Sequence, residues 1–251
     1  MLHIHRKKKV IVLQGLILLS AFIFPSHKIF AQKYLEYSSD WYLADHDYKP
    51  YYFGITLAGN SARFHAEKHP RFLEDDSVYV ADPLNSPGFG LGLSATGRLS
   101  NRFQLRFNPQ LIFTERSIYY KLKYPDINDG IEVTKKVESV IMSFPVHIKF
   151  QSDRIGNFRV YMFGGVKADI DMASNARAKR AEDLVKIKSK DYGIEAGIGF
   201  NFFMQSFIFS PEIKISNGLG NIHSRDPALK YSSVFDRVQS RMIMFTIHLE
   251  G

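Results

Sequence analysis

Over most of this 251-residue chain, bulky apolar side chains alternate with small or polar ones at a period of two. That period belongs to strands with two unlike faces, and it excludes helical bundles and alternating helix–strand folds. In one run Phe103, Leu105, Phe107, Pro109, Leu111 and Phe113 share a face, opposed by Gln104, Arg106, Asn108, Gln110 and Thr114. The same pattern marks Gly88 to Leu99, Val140 to Phe150, Tyr192 to Phe202, Phe207 to Ser216 and Arg241 to Leu249. Tyr52 to Ala62 and Phe158 to Ile170 complete a set of eight strands of about ten residues, the length of a tilted membrane-crossing strand. Only Ser174 to Lys186 reads as a short helix.

The connections alternate in length. Short polar turns fall at Ser100–Asn101, Gln151 to Asn157 and Met204 to Ser206. Long polar stretches fill His65 to Pro87, Tyr124 to Lys136, Asp171 to Lys190 and Gly220 to Asp236. Even strand number with alternating short and long connections is the plan of an outer-membrane barrel. The expected fold is therefore all-β: an eight-stranded antiparallel up-and-down transmembrane β-barrel with short periplasmic turns and long extracellular loops.

Face chemistry points the same way. A soluble barrel or sandwich would turn its apolar face inward and its polar face to water. Here the polar face interleaves glycine with charge, which suits a narrow filled lumen, and Phe and Tyr on the apolar face reach the strand ends as aromatic girdles do. The expected lumen charges are Arg98, Arg106, Lys149, Lys167, Glu195, Glu212 and Lys214, with Asp169 among their partners. Charges enclosed in so small a tube must pair, so they read as an internal salt-bridge lattice rather than as a catalytic or transport site.

The first 31 residues read as a signal peptide. A basic stretch from His3 to Lys9 precedes an apolar run from Val10 to Phe24, and Ala31 offers a small residue at the cut. Residues 32–50 are then a periplasmic leader, rich in aromatic and acidic side chains over Tyr34 to Lys49, and 51–251 the barrel. The leader suits a docking element, an interfacial segment or an ordered entry to the first strand. The net charge of +8 is concentrated in the label: five of 33 basic residues lie in 1–31, where there is no acid, leaving 28 against 25. Charge alone thus implies no nucleic-acid partner. With no cysteine there is no disulfide, iron–sulfur or thiol chemistry, and no lipoprotein anchor.

Motifs that could carry chemistry are weak. His65-Ala-Glu-Lys-His69 lacks the glutamate directly after the first histidine that a metalloprotease helix needs, and reads as a solvated loop. Gly88-Phe-Gly90-Leu-Gly92 lies within an alternating strand with no helix after it, so it is lumen-facing glycine and not a phosphate cradle. No catalytic residue, cofactor, metal or small-molecule substrate is expected.

Several blocks resemble the PorT/SprT family of Bacteroidetes outer-membrane barrels. They are Lys49 to Leu57 with Asn60, Leu105 to Phe113 with Arg116, and Glu138-Ser139 with Phe144-Pro145 and Lys149. Ser152 to Arg159 with Tyr161 and Gly164-Gly165 follows, then Asp191 to Gly199, and Phe209-Ser-Pro-Glu-Ile-Lys-Ile-Ser216. The resemblance implies an accessory component of the type IX secretion system, supporting export of sorting-domain proteins and, in gliding species, motility. It transfers no catalytic residue. The partners it implies are outer-membrane lipid and other secretion proteins. A structural or adhesion barrel without a secretion role, and a soluble ligand-binding barrel, are the competing readings.

Overall fold

The computed structural model describes residues 41–69, 78–126, 130–174, 187–223 and 234–251. The expected signal peptide, the first part of the leader and the helix expected over Ser174 to Lys186, beyond its first residue, lie outside them. Trp41 and Tyr42 lead into a 3-10 turn, Ala44–Tyr48, and the other named elements of the described residues are strands. The strands are β1 (Tyr51–Lys68), β2 (Val78–Leu84), β3 (Ser86–Arg98), β4 (Phe103–Phe107) and β5 (Gln110–Asp126). They continue with β6 (Gly130–Gln151), β7 (Phe158–Asp171), β8 (Lys190–Phe203), β9 (Ile208–Gly218) and β10 (Phe235–Glu250).

All pairings are antiparallel, and the ladder returns to its start. β10 pairs with β1, and β1 pairs on its other side with β3. From there the order runs through β4 and β5 to β6, then β7, β8, β9 and β10.

Ten segments make eight staves. β4 and β5 hold one register on β3 and β6, interrupted only where Pro109 has no N–H to give. β2 and β3 both pair β5, with the register stepping by one residue near Asn85.

The staves are longer than expected: β1 has 18 residues and β6 has 22. Two stretches expected as loops are largely strand. His65 to Lys68 extends β1 and Val78–Leu84 forms β2, while β5 and β6 continue pairing to Asp126 and Gly130. The reason is visible in face polarity. On β6 the outward residues Val140, Met142, Phe144, Val146, Ile148 and Phe150 are apolar, whereas Glu132, Thr134, Lys136 and Glu138 above them are polar. Ten residue steps at about 3.4 Å, tilted about 40°, make the apolar band about 26 Å tall, the height of a barrel's lipid belt. Above that band the strands continue into water.

Inside, the phase inverts with the solvent. Within the band the interior is polar. Above it the interior is a hydrophobic cluster of Phe64, Ile118, Tyr120, Leu122, Phe235 and Val238, with neighbours including Val78 and Val137. The expectation of a uniformly small and ionic interior fails here, because outside the bilayer the ordinary rule of apolar-in, polar-out returns.

Candidate functional site: a filled lumen and its two ends

The expected orientation holds through the band. Phe107 and Ile215 point outward and Phe113 lies half-buried on that outer face, while Arg106 and Glu212 are buried at the centre. Alternation places them: Arg106 on β4 sits between outward Leu105 and Phe107, and Glu212 on β9 between Pro211 and Ile213.

Arg106 organises the middle of the tube. Its Nη2 meets Glu212 Oε2 at 2.8 Å, and its guanidinium lies 4.9 Å from the Phe163 ring centroid. The same guanidinium reaches His248 Nε2 and His147 Nδ1, each at 3.3 Å. The Glu195 carboxylate can only accept, so His147 Nε2, 2.8 Å from its Oε2, donates and His147 Nδ1 accepts from Arg106. His248 Nδ1 lies 2.9 Å from Thr56 Oγ1, and its Nε2 lies 3.4 Å from Glu212 Oε2 as well as beside Arg106. Lys214 Nζ donates to Glu195 at 3.0 Å, and the Tyr161 hydroxyl to Glu212 at 3.0 Å. Arg106, Glu195, Glu212 and Lys214 thus form one connected lattice.

The other expected charges lie above and below it. Lys167 pairs with Asp169 at 2.5 Å, and Ser143 donates to Asp169 at 2.6 Å. Lys149 lies lower, 4.0 Å from Glu250 and 4.1 Å from the Tyr161 ring centroid. Arg98, on the same inward phase of β3 as Ser94 and Thr96, is half-buried at the short-turn mouth. Sequence reading left out of the lattice Glu250, Asp171, Arg116 and the two histidines. Arg116 donates to Ser139 at 2.7 Å and sits 3.7 Å from Asp171. The inward phase of β5, β6, β7 and β10 was the signal that could have found them.

Tyr161 and Phe163 point inward from β7 and pair across to Gly199 and Gly197. A Cβ at Gly199 would stand 2.4 Å from the Tyr161 ring, so only glycine leaves room for it. The expected role of the Gly88, Gly90 and Gly92 run also fits: a Cβ at Gly88 would meet Asn60 and the Phe113 carbonyl within 3 Å.

The short-turn mouth is closed by residues 41–49. Asp47 enters a cluster of three arginines, at 3.0 Å from Arg159, 3.4 Å from Arg154 and 4.0 Å from Arg98. Arg154 lies 3.6 Å from the Phe203 ring centroid and 5.0 Å from that of Trp41. His46 is buried against Tyr52, ring centroids 4.4 Å apart, and burial lowers its pKa to about 4. Outward rings circle this end, among them Phe103 with Phe150 and Phe158 with Phe202, each pair at 5.2 Å.

His65 points outward on β1, part of a strand and not the expected loop. Among the described residues no group of three or more His, Asp or Glu side chains gathers where a metal ion could sit.

An antiparallel ladder that returns to its first strand, greasy outside and ionic inside, defines a membrane β-barrel. The family model for an outer membrane protein beta-barrel domain matches residues 31–224, and the chain belongs to that family. No curated protein matches the chain. Among solved structures it is similar to Neisserial surface protein A at 13% identity and TM-score 0.36, covering 78% of this chain and 96% of that one. It is similar also to OprG from Pseudomonas aeruginosa at 12% identity and TM-score 0.42, covering 80% and 95%. A third is Ail of Yersinia pestis, solved with a heparin analogue, at 10% identity and TM-score 0.34, covering 81% and 100%.

Proposed function

We propose that this outer-membrane barrel is sealed, acts through the surfaces at its two ends, and serves as an accessory of protein secretion without being the pore or an enzyme. The short turns and residues 41–49 face the periplasm in this reading, and the extended strands face outward. One observation carries it: the tube is blocked at three levels, by Asp47 among its arginines, by the Arg106 lattice and by the hydrophobic cluster above. An eight-stave lumen has room for side chains and none for a passing polypeptide.

The secretion role rests on the sequence blocks that resemble the PorT/SprT family, and it makes other envelope proteins the partners, with no nucleic acid or small-molecule substrate. Deleting the gene is expected to block release of sorting-domain proteins; unchanged release would remove the secretion role and leave a structural or adhesion barrel. Planar-bilayer recording of the full chain is expected to stay at baseline, and discrete ion-conducting steps would overturn the sealed tube.

A further inference from the structure

Three neighbouring strands carry a feature of the outer wall that neither the lattice nor the cap uses. Their outward residues form rows, in the order β10, β1, β3: Ile247–Leu57–Leu91, then Phe245–Gly59–Phe89, then Ile243–Ser61–Pro87. In the second row two phenyl rings flank a hydrogen atom. A Cβ at Gly59 would meet nothing within 4 Å, and the hollow over it is lined by Leu57, Leu91 and Ile247 as well as the two rings. Phe89 is held upright by stacking on Phe113 at 4.9 Å. The wall here contains an apolar furrow over Gly59.

The next row up is Arg241–Arg63, both exposed. Like charges directly opposite across a ladder destabilise it. Arg241 donates to Asn217 at 3.3 Å, and among the described residues neither arginine has a carboxylate within ion-pair distance. β1 and β3 part company above Ala62–Ser86, and the opening beside Arg63 is lined by polar Ser61, His65, Asp82 and Asn85. Gly59 and Arg63 are four residues apart, about 14 Å along the strand. This pair sits where the apolar band ends on the side of the long connections.

We infer that this furrow and arginine pair form a binding site for a phosphorylated acyl-glycolipid of the outer leaflet. An acyl chain lies over Gly59 between Phe89 and Phe245, and a phosphate sits between Arg63 and Arg241 in charge-assisted hydrogen bonds. The polar opening beside Arg63 takes the sugar hydroxyls. The assignment of leaflet rests on the orientation proposed above.

The test uses the full chain refolded in detergent micelles and measures retention of diphosphoryl lipid A by native mass spectrometry. Dephosphorylated lipid A and phosphatidylglycerol serve as comparison lipids. Diphosphoryl lipid A is expected to bind at least about tenfold more tightly than either, and Arg63→Gln with Arg241→Gln to erase the difference, in line with the worth of two cations at a lipid surface. Gly59→Leu fills the furrow without touching the charges and is expected to weaken lipid A while leaving binding of inorganic phosphate unchanged. Equal binding of lipid A and phosphatidylglycerol, or unaltered lipid A binding by both variants, overturns the site. Heat-modifiable gel mobility reports the barrel separately, so a variant that fails to fold is distinguished from one that folds and fails to bind. A wild-type chain that never inserts into bilayers would sink the outer-membrane reading itself.

Discussion

Arg106 shows how one buried side chain fixes several others. Its positive charge is balanced by Glu212, and its guanidinium reaches the rings of His147 and His248. Removing one member of a buried pair strands the other, which typically costs about 3–5 kcal/mol. Arg106→Met is therefore expected to lower stability by that order in urea titrations of vesicle-inserted protein, whereas Arg106→Met with Glu212→Leu should recover much of the loss. A double variant as unstable as the sum of both singles would show the pair to be uncoupled.

His46 offers a second residue-scale test. Undocked, its ring binds a proton near 6.5; docked, burial lowers that to about 4, helped by Lys49 and Arg98 and opposed by Glu250 and Asp47. The undocked state thus holds more protons between these values, and docking weakens as pH falls through that window. The fluorescence of Trp41, the single tryptophan, is expected to report loosening of residues 41–49 as pH drops from 7 to 4, and His46→Phe to flatten the profile. A wild-type profile without change over that range would rule out the histidine as the cause.

At the scale of elements, each long strand is two amphipathic strands joined end to end with opposite polarity. On β5 the band part turns Leu111 and Phe113 outward with Gln110 and Thr114 inward. The upper part turns Ile118, Tyr120 and Leu122 inward with Lys121 outward. An outward charge is expected to be costly in the first part and harmless in the second. Ile213→Arg, on β9 in the band, should destabilise the inserted protein by about 2–4 kcal/mol, while Tyr119→Arg above the band should change it by less than about 1. Equal effects would place the lipid boundary elsewhere. The sequence showed the band parts plainly, because lipid outside and packing inside impose opposite chemistry on alternate residues. It concealed the upper parts, since His65 to Lys68 is short and polar on its outer face and Val78–Leu84 is short and carries a proline, like loops. For Arg98 alternation assigns the inward face, but only the folded chain shows that β3 ends there at the mouth.

For the whole molecule, sealing is redundant. The cap, the lattice and the upper cluster use different residues and different forces. A chain starting at Lys49, and so lacking the cap, is expected to remain non-conducting in planar bilayers, because the two upper plugs do not depend on it. Conductance on cap removal alone would mean that Asp47 and its arginines carry the seal. The period of two, together with the alternating connection lengths and the glycine-and-charge chemistry of one face, pointed to an antiparallel barrel with greasy side chains outward and Arg106 and Glu212 inward, because a strand's geometry converts alternation directly into facing. The tertiary structure alone decided which charges meet, how far the strands rise beyond the bilayer, and that residues 41–49 return to cover the mouth. These depend on register and on contacts between residues more than a hundred positions apart, such as Arg154 with Tyr42, which no local pattern encodes.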